Sequence, residues 1–169
     1  MSDRPAIEWD STVCEASALT KADLAACIKV ITEGDAVDPE SAAAELPLAL
    51  RVAVARSKQS VIGVAAIKRP RPAYASSVAT KSRSTFPSDL PELGYVAVNA
   101  TYQGYGVGRD LVGRLLASFI TRPLFATTAT PAMKRLLTKS GFHLHGSPWH
   151  GLKAELSLWV CDASGHDQV

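Results

Sequence analysis

A short glycine-rich segment, Gln103-Gly104-Tyr105-Gly106-Val107-Gly108, constrains the fold more than any other part of the chain. It follows an apolar, strand-like run from Leu93 to Val98 and leads into a run with helical spacing from Arg109 to Ile120. Three glycines in five positions allow the backbone to turn tightly and to approach a ligand closely. Because free amides at the start of a helix attract anions, this strand, turn and helix predict a site for a phosphate-bearing cofactor.

Both halves of this unit have further sequence support. Val107, Leu111, Leu115 and Phe119 recur every four residues, which predicts one buried helix face. On the strand, Gly94 predicts either a bulge or a close approach by another backbone or a ligand.

Two common phosphate-binding motifs do not fit the segment. A Walker loop needs GxxxxGK[ST], and no such lysine follows Gly108. A dinucleotide fingerprint needs GxGxxG with an acidic residue about 20 positions later. Here Arg109 takes the place of the third glycine, and no Asp or Glu occurs between Asp110 and Glu155. The pattern that remains is Gln/Arg-x-x-Gly-x-Gly/Ala after a strand that ends in valine.

This pattern resembles the GCN5-related N-acetyltransferases. The segment from Val98 to Gly108 is similar to the acyl-CoA signature of that family, from the end of its fourth strand into its third helix. Downstream, Leu124 to Thr128 is predicted as a strand and Pro131 to Ser140 as a helix, followed by the family's usual Gly-Phe pair. The resemblance is strongest from Glu92 to Phe142.

The resemblance implies an α/β fold, a mixed central β-sheet flanked by helices in one domain over residues 1–169, with acetyl-CoA as the acyl donor. Pantetheine would lie between two splayed parallel strands, the runs ending at Val98 and Thr128. Backbone amides from Gln103 to Arg109 would hold the pyrophosphate, and the Gln103 side chain would join them. The implied cofactor-binding residues are Val96, Ala97, Val98, Gln103, Gly104, Tyr105, Gly106, Val107, Gly108 and Arg109.

Catalysis in this family needs a base, an oxyanion donor and a proton for the departing thiolate. Glu92 is the best-placed base, with an ordinary surface carboxylate at a strand end as the alternative. A strand amide next to the bulge is the expected oxyanion donor. The general acid departs from the family pattern, because Leu137 stands where the family often has tyrosine and Thr130 where it usually has asparagine. Four other residues remain open for that role: Tyr74, Tyr105, Ser140 and His150.

The rest of the chain predicts a regular order of elements. Thr130 is a good N-cap, Pro131 suits the first helical position and Gly141 suits a left-handed stop. Residues 70–91 hold four prolines and are predicted as a long surface loop or, equally, a disordered insertion. Residues 162–169 are predicted as a frayed tail. The other predicted elements are helices Thr20–Glu33 and Pro39–Glu45, strands Leu48–Ala55 and Val61–Lys68 paired as a hairpin, and a last strand Lys153–Val160.

Composition agrees with one compact domain. The 169 residues are 47% hydrophobic, and no apolar run approaches the roughly 20 residues that span a membrane. Cys14, Cys27 and Cys161 form no CxxC pair, which predicts a reducing, cytoplasmic location and packing roles for the thiols. His143 and His145 alternate along a strand, but without a third ligand no metal site is predicted.

Charge is distributed unevenly along the chain. Residues 1–50 carry ten acids and three bases, whereas residues 51–88 carry eight bases and no acid. One interpretation is two solvated faces that attract each other. The other places an acidic rim, including Asp35, Asp38 and Glu40, near a cationic acceptor and a basic rim near phosphates.

These observations predict an N-acetyltransferase that moves an acetyl group from acetyl-CoA to a primary amine by direct attack, the amine being a small cationic or zwitterionic molecule. Two alternatives stay open: an acetyltransferase toxin that acts on aminoacyl-tRNA through the basic stretch, and an acyl-CoA-binding module without catalysis. A nucleic-acid partner is therefore not the first expectation. A homodimer is left undecided by the sequence.

Overall fold

The computed structural model describes residues 5–34, 37–119 and 123–162. The chain forms five α-helices and seven strands within these ranges. The helices are α1 (Lys21–Glu33), α2 (Pro39–Glu45), α3 (Pro72–Ser82), α4 (Val107–Ser118) and α5 (Pro131–Lys139). The strands are β1 (Asp10–Cys14), β2 (Arg51–Ser57), β3 (Ser60–Lys68), β4 (Glu92–Val98), β5 (Leu124–Thr128), β6 (His143–His150) and β7 (Glu155–Cys161).

The strands form one mixed sheet in the order β1-β2-β3-β4-β5-β7-β6. Strands β4 and β5 are parallel, with Glu92 opposite Phe125, and the Phe125 amide donates to the Pro91 carbonyl at 3.2 Å. The predicted α/β class with a mixed sheet and flanking helices is therefore confirmed. No described helix is long and apolar enough to cross a bilayer.

The chain divides into two compact units, and strand β4 contributes to both. The first unit contains the chain up to Ile67 together with Tyr95–Ser118, and the second contains Lys68–Gly94 together with the chain from Phe119 onward. The single-domain boundary 1–169 stays a prediction.

In the first unit, α4 packs against β2 and β1. Val107, Leu111 and Leu115, three residues of the predicted face, are buried. Gly63 of β3 allows this approach, because a Cβ there would lie 3.0 Å from side-chain atoms of Leu111 and Val107. Strand β1 was not predicted: it is half exposed and too polar to show a strand pattern, and it forms by pairing antiparallel with β2.

In the second unit, α3 packs against β6 and β7. Its buried Ala75 and Val78 share a core cluster with Leu90, Phe125 and Leu158. Helix α5 has the predicted ends, since Thr130 accepts from the Met133 amide at 3.2 Å and Gly141 has φ +93°.

Strand β6 lies at one end of the sheet order. Its pairing with β7 shifts register between His145 and Trp149, and Pro148 falls inside this interval. Gly146, in the same interval, has φ +73°. The strand is therefore irregular in its middle and paired regularly at its two ends.

The prediction of a long irregular loop at residues 70–91 is wrong for Pro72–Ser82, which form α3. The four prolines, Pro70, Pro72, Pro87 and Pro91, flank the helix interior without entering it, and Pro72 takes the first helical position, where a missing amide costs nothing. Of the predicted tail 162–169, only Asp162 lies within the described residues.

The β2–β3 hairpin generates a first prediction about stability. Its central turn residues, Lys58 and Gln59, both have positive φ, 50° and 69°, which glycine and asparagine adopt more readily. Replacing both, as Lys58→Asn with Gln59→Gly, removes a left-handed cost of about 1–2 kcal/mol per residue. We expect a melting temperature higher by several degrees, at about 2–4 °C for each kcal/mol.

A matched control is Gln59→Ala, which keeps a Cβ and should not stabilise the protein. Thermal denaturation measures the midpoint temperature of both variants. An unchanged midpoint in the Asn-Gly variant would contradict the strain assigned to this turn.

Candidate active site

The glycine turn between β4 and α4 forms as the sequence predicts. Gly104 and Gly106 have φ of +85° and +92°, values that side chains with a Cβ rarely adopt. A Cβ added to Gly106 would meet nothing within 4 Å, so the space beside this residue is open. The turn therefore presents bare backbone on an unobstructed side.

Helix α4 begins immediately after this turn. The Asp110 amide donates to the Gly106 carbonyl at 3.0 Å, so the amides of Val107, Gly108 and Arg109 have no acceptor within the helix. Val107 points its buried side chain into the core, and its contribution to a ligand is limited to its backbone. Three consecutive amides and the positive end of the helix dipole make this a place where a phosphate would be stabilised.

The Gln103 side chain, which was expected to contact the pyrophosphate, forms a hydrogen bond within the protein. Its Nε2 donates to the Val98 carbonyl at 3.1 Å, which ties the turn to the end of β4. The backbone of Gln103 also closes the preceding turn, where its amide donates to the Ala100 carbonyl at 3.4 Å. Gln103 thus shapes the turn from both its side chain and its backbone.

The apolar end of β4 is less buried than its neighbour in the sheet. Val96, Ala97 and Val98 are each half buried, whereas Val64, Ala66 and other central residues of β3 are fully buried. Central strands normally bury such residues completely. These three side chains therefore leave apolar surface that an acyl chain or pantetheine could cover.

The irregularity predicted at Gly94 lies one residue later. Tyr95 has φ +54° although it carries a buried ring, so the strand departs from extended geometry there. Gly94 is needed for another reason, because a Cβ would lie 2.8 Å from Cδ of Lys68. The close neighbour of Gly94 is a lysine side chain, whereas the prediction offered a backbone or a ligand.

Glu92, the predicted base, is buried, so its interpretation as an ordinary surface carboxylate is wrong. Its Oε1 accepts from Lys68 Nζ and from Arg71 Nη2, both at 3.1 Å. Burial of a carboxylate is costly unless it is paired and hydrogen-bonded, and these two cations supply that pairing. The end of β3, the start of α3 and the start of β4 thus meet at one charged cluster.

A tyrosine extends this cluster. The Arg71 guanidinium carbon lies 4.4 Å from the centre of the Tyr74 ring, within the range of a cation–π contact. The Tyr74 hydroxyl shares a hydrogen bond with Thr127 Oγ1 at 3.2 Å. Sequence reasoning missed Lys68, Arg71 and Thr127, because no local motif links three separate elements.

Leu137, at the position where the family often has tyrosine, is fully buried. The four residues left open for the general acid occupy different environments. Ser140 donates its hydroxyl to the Leu136 carbonyl at 2.7 Å, which commits that proton to the helix end. Tyr105 is half buried and His150 is exposed. Tyr74 has a hydroxyl engaged with Thr127.

Other expectations from the sequence can also be placed. Burial raises the pKa of the Cys27 thiol to about 11, which keeps it protonated and agrees with a packing role. His145 contacts the Thr85 carbonyl at 2.8 Å. Asp38 caps α2 by accepting from the Ser41 amide at 3.0 Å, whereas Asp35 lies outside the described residues.

Asp110 anchors the N-terminal segment to the start of α4. Its Oδ2 accepts from Ser11 Oγ at 2.6 Å and from Trp9 Nε1 at 3.1 Å, and its Oδ1 accepts from Arg114 Nε at 3.0 Å. Burial raises the pKa of this carboxyl, but the hydrogen bonds from Ser11, Trp9 and Arg114 outweigh burial and leave the pKa below its ordinary value. The ionised form is therefore part of the folded structure.

This anchor predicts a pH-dependent loss of stability. A lowered folded-state pKa means that the stabilisation is present above the unfolded pKa and disappears as pH falls through the folded value. Asp110→Ala should lower the free energy of unfolding at pH 7 by about 1–3 kcal/mol and should weaken the fall in stability below about pH 4. Denaturant titrations from pH 3 to pH 7 measure both effects.

Arg114→Gln is the matched control, because it removes only the exposed partner of Asp110 and should cost less than about 0.5 kcal/mol. Equal stability of Asp110→Ala and the unaltered protein at every pH would contradict the anchor.

Comparisons with known proteins agree on the fold. No family model matches the chain, and no curated protein matches it by sequence. Among solved structures, an acyl-CoA N-acyltransferase from Pseudomonas aeruginosa is 15% identical, with a TM-score of 0.66, over 91% of this chain and 99% of that chain. The N-acyl amino acid synthase FeeM from uncultured soil microbes is 15% identical, with a TM-score of 0.70, over 94% and 92%.

A third neighbour was solved with a ligand. The structure of yncA from Salmonella typhimurium, which contains its cofactor acetyl-CoA, is 20% identical, with a TM-score of 0.65, over 95% of this chain and 98% of that chain. Such matches, which extend over nearly the whole chain, show that this protein has the fold of the GCN5-related N-acetyltransferases.

Proposed function

We propose that this protein is an acyl-CoA-dependent N-acetyltransferase that moves the acetyl group of acetyl-CoA to a primary amine of a small cationic or zwitterionic molecule. The observation that carries the proposal is the glycine turn, where left-handed Gly104 and Gly106 leave three free helix amides beside open space. Neighbours with this fold include one solved with acetyl-CoA and others named as N-acetyltransferases.

The residues of the turn suit the pyrophosphate of the donor. The amides of Val107 to Arg109 would donate to phosphate oxygens, and the half-buried side chains of Val96 to Val98 would contact pantetheine and the acyl group. Arg109 is exposed and adds positive charge at the same helix end. Tyr105 and Gly108 complete the binding segment as proposed from the sequence.

The reaction is a direct acyl transfer. The ammonium of the acceptor gives a proton to Glu92, directly or through water, and the neutral nitrogen attacks the thioester carbonyl. The C–N bond forms, the C–S bond breaks, and the leaving CoA thiolate takes up, directly or through water, the second proton that the attacking nitrogen loses. The overall change is amine plus thioester to amide plus thiol, and a backbone amide beside the irregular Tyr95 would stabilise the oxyanion.

Two observations weigh against the alternative that acts on aminoacyl-tRNA. In the first unit, Arg51 pairs with Glu15 at 3.5 Å and Arg56 pairs with Asp23 at 3.2 Å. In the second unit, Lys68 and Arg71 pair with Glu92. Four of the eight bases in residues 51–88 therefore pair with three protein carboxylates, which reduces the positive charge available to tRNA phosphates.

The neighbours do not fix the acceptor. Their names include an N-acyl amino acid synthase and a ribosomal-protein-alanine N-acetyltransferase, so one fold serves different amines. The chemical class of the acceptor must therefore be inferred from the residues of this chain.

The cofactor site predicts the effect of a single substitution. Gly106→Glu places bulk and negative charge on the open side of the turn, so we expect at least a tenfold loss of acetyl-CoA affinity measured by calorimetry. Gly106→Gln is the matched control, with the same size and the same unfavourable φ but no charge. It should lose less affinity.

Circular dichroism establishes that each variant is folded before affinity is compared. Unchanged affinity in a folded Gly106→Glu protein would remove the turn from the donor site.

The assigned base predicts a change in rate. Glu92→Gln keeps the size of the side chain but removes its basicity, so kcat should fall about 10²- to 10⁴-fold at neutral pH while acetyl-CoA affinity stays the same. Raising the pH should restore part of the rate, because more of the acceptor is then neutral. The pH dependence of kcat measures this.

Glu92→Asp is the control for lost ion pairing, since it keeps the charge opposite Lys68 and Arg71. It should retain more activity than the Gln variant at equal thermal stability. An unaltered pH–rate profile in Glu92→Gln would place the base elsewhere.

A further inference from the structure

The most specific unassigned feature of the second unit is the environment of Arg71. This residue immediately precedes α3, and its side chain is 26% exposed. The other charged members of its cluster are more deeply buried, with side-chain exposures of 10% for Lys68 and 8% for Glu92. Arg71 is therefore the most solvent-exposed of these three charged residues.

The guanidinium of Arg71 is held from two directions. Its Nη2 donates to Glu92 Oε1 at 3.1 Å, and its carbon lies 4.4 Å from the centre of the Tyr74 ring. The Tyr74 ring is itself fixed by the Thr127 hydroxyl at 3.2 Å and by Phe125, with a distance of 6.3 Å between ring centres. The orientation of the guanidinium is thus set before any ligand arrives.

This arrangement uses only part of the donor capacity of Arg71. Within the described residues, its hydrogen bonds go from Nη2 to Glu92, and neither Nε nor Nη1 donates to a protein acceptor. An arginine has five N–H donors in a rigid fork that matches the two oxygens of a carboxylate. A fixed, partly exposed guanidinium with unused donors is preorganised for such an anion.

The charges of the cluster suit a molecule with groups of both signs. Lys68 and Arg71 carry two positive charges against the single negative charge of Glu92, so a net positive charge remains to attract a carboxylate. Both cations lie on Oε1 of Glu92, which leaves its Oε2 for an ammonium group. The pair Arg71 and Glu92 is therefore complementary to a molecule that carries a carboxylate and an ammonium a few bonds apart.

We propose that Arg71 binds the carboxylate of the acceptor, and that the acceptor is a small amino acid whose amine is directed toward Glu92. This inference rests on the proposed N-acetyltransferase function and narrows its acceptor from a cationic or zwitterionic amine to an amino acid. Arg71 acts as a specificity residue, and Tyr74 acts as a positioning residue through its contact with the guanidinium.

The test compares acceptors that differ only at the carboxyl group. Each proteinogenic α-amino acid is assayed beside its carboxamide and its decarboxylated amine, with acetyl-CoA as the donor and thiol release as the signal. For the best amino acid we expect kcat/KM to exceed that of its carboxamide by roughly 10- to 100-fold, the range of a charge-assisted hydrogen bond. Equal use of the three forms would overturn the proposal.

Substitution of Arg71 should remove this preference. Arg71→Gln should reduce the ratio of kcat/KM for the amino acid to kcat/KM for its carboxamide to about one, whereas the affinity for acetyl-CoA should stay unchanged. Arg71→Lys keeps the charge without the fork and should retain part of the preference. The matched control is Lys81→Gln, which removes one positive charge from the exposed last turn of the same helix and should change neither ratio.

Each remaining outcome bears on the proposal. If Arg71→Gln and Arg71→Lys weaken acetyl-CoA as much as the amino acid, Arg71 serves the donor phosphates and the proposal fails. If the Arg71 variants change the melting temperature but keep the preference for the amino acid over its carboxamide, the cluster has a purely structural role. That result would also overturn the proposal.

A binding measurement separates this inference from the proposed function. Calorimetric titration of the amino acid panel into the protein needs no turnover. Binding that depends on Arg71, in a protein that releases no thiol with any amine, would uphold the carboxylate site and reject the acetyltransferase. Thiol release with amines and no dependence on the carboxylate would do the reverse.

Discussion

Helix α4 can begin where it does only because the backbone turns through two left-handed glycines. The first helical hydrogen bond joins the Asp110 amide to the Gly106 carbonyl, so the glycine conformation decides the position of the whole helix. From that start, α4 buries Leu111 and Leu115 against the sheet, and Gly63 on β3 supplies the space for the close packing. Asp110 then ties Trp9 and Ser11 to the same helix turn. The anion-binding character of the turn and the packing of the first unit therefore share one cause.

The second unit is organised around a buried charge rather than a backbone turn. Glu92 lies inside the protein with Lys68 and Arg71 on one of its oxygens. Removing one member of such a group leaves an uncompensated charge, which costs far more than the group contributes while intact. The same ion pairs that stabilise Glu92 in the interior also fix Arg71, so the residue that we propose for ligand recognition is held in place by a structural requirement.

Much of the fold could be predicted from local signals, because those signals have local causes. Thr130, Pro131 and Gly141 delimit α5 through their own backbone geometry, and α2 has the predicted bounds for the same reason. Strand β1 could not be found in this way, since it is a strand only by virtue of its pairing with β2. Helix α3 was not predicted, because the prediction of a loop rested on the number of prolines in residues 70–91. Their positions, at or outside the ends of the helix, are compatible with a helix.

The residues of the candidate site can likewise be divided into those with a local sequence signal and those brought together only by folding. The glycine turn is contiguous in sequence and was recognised, whereas Lys68, Arg71 and Thr127 come from three elements and meet only in the folded chain. The sequence predicts a bulge or a close approach at Gly94, whereas the positive φ lies one residue later, at Tyr95. The close contact of Lys68 explains why a glycine stands beside it instead.

The irregular middle of β6 affects the tendency of the protein to self-associate by strand pairing. A strand at the end of a sheet offers a row of amides and carbonyls to which a foreign chain can add. Pro148 has no amide to offer, and the register shift around it bends the strand away from a flat template. This border of the sheet is therefore a poor seed for intermolecular β-aggregation, although no strand of the described residues pairs along its outer edge.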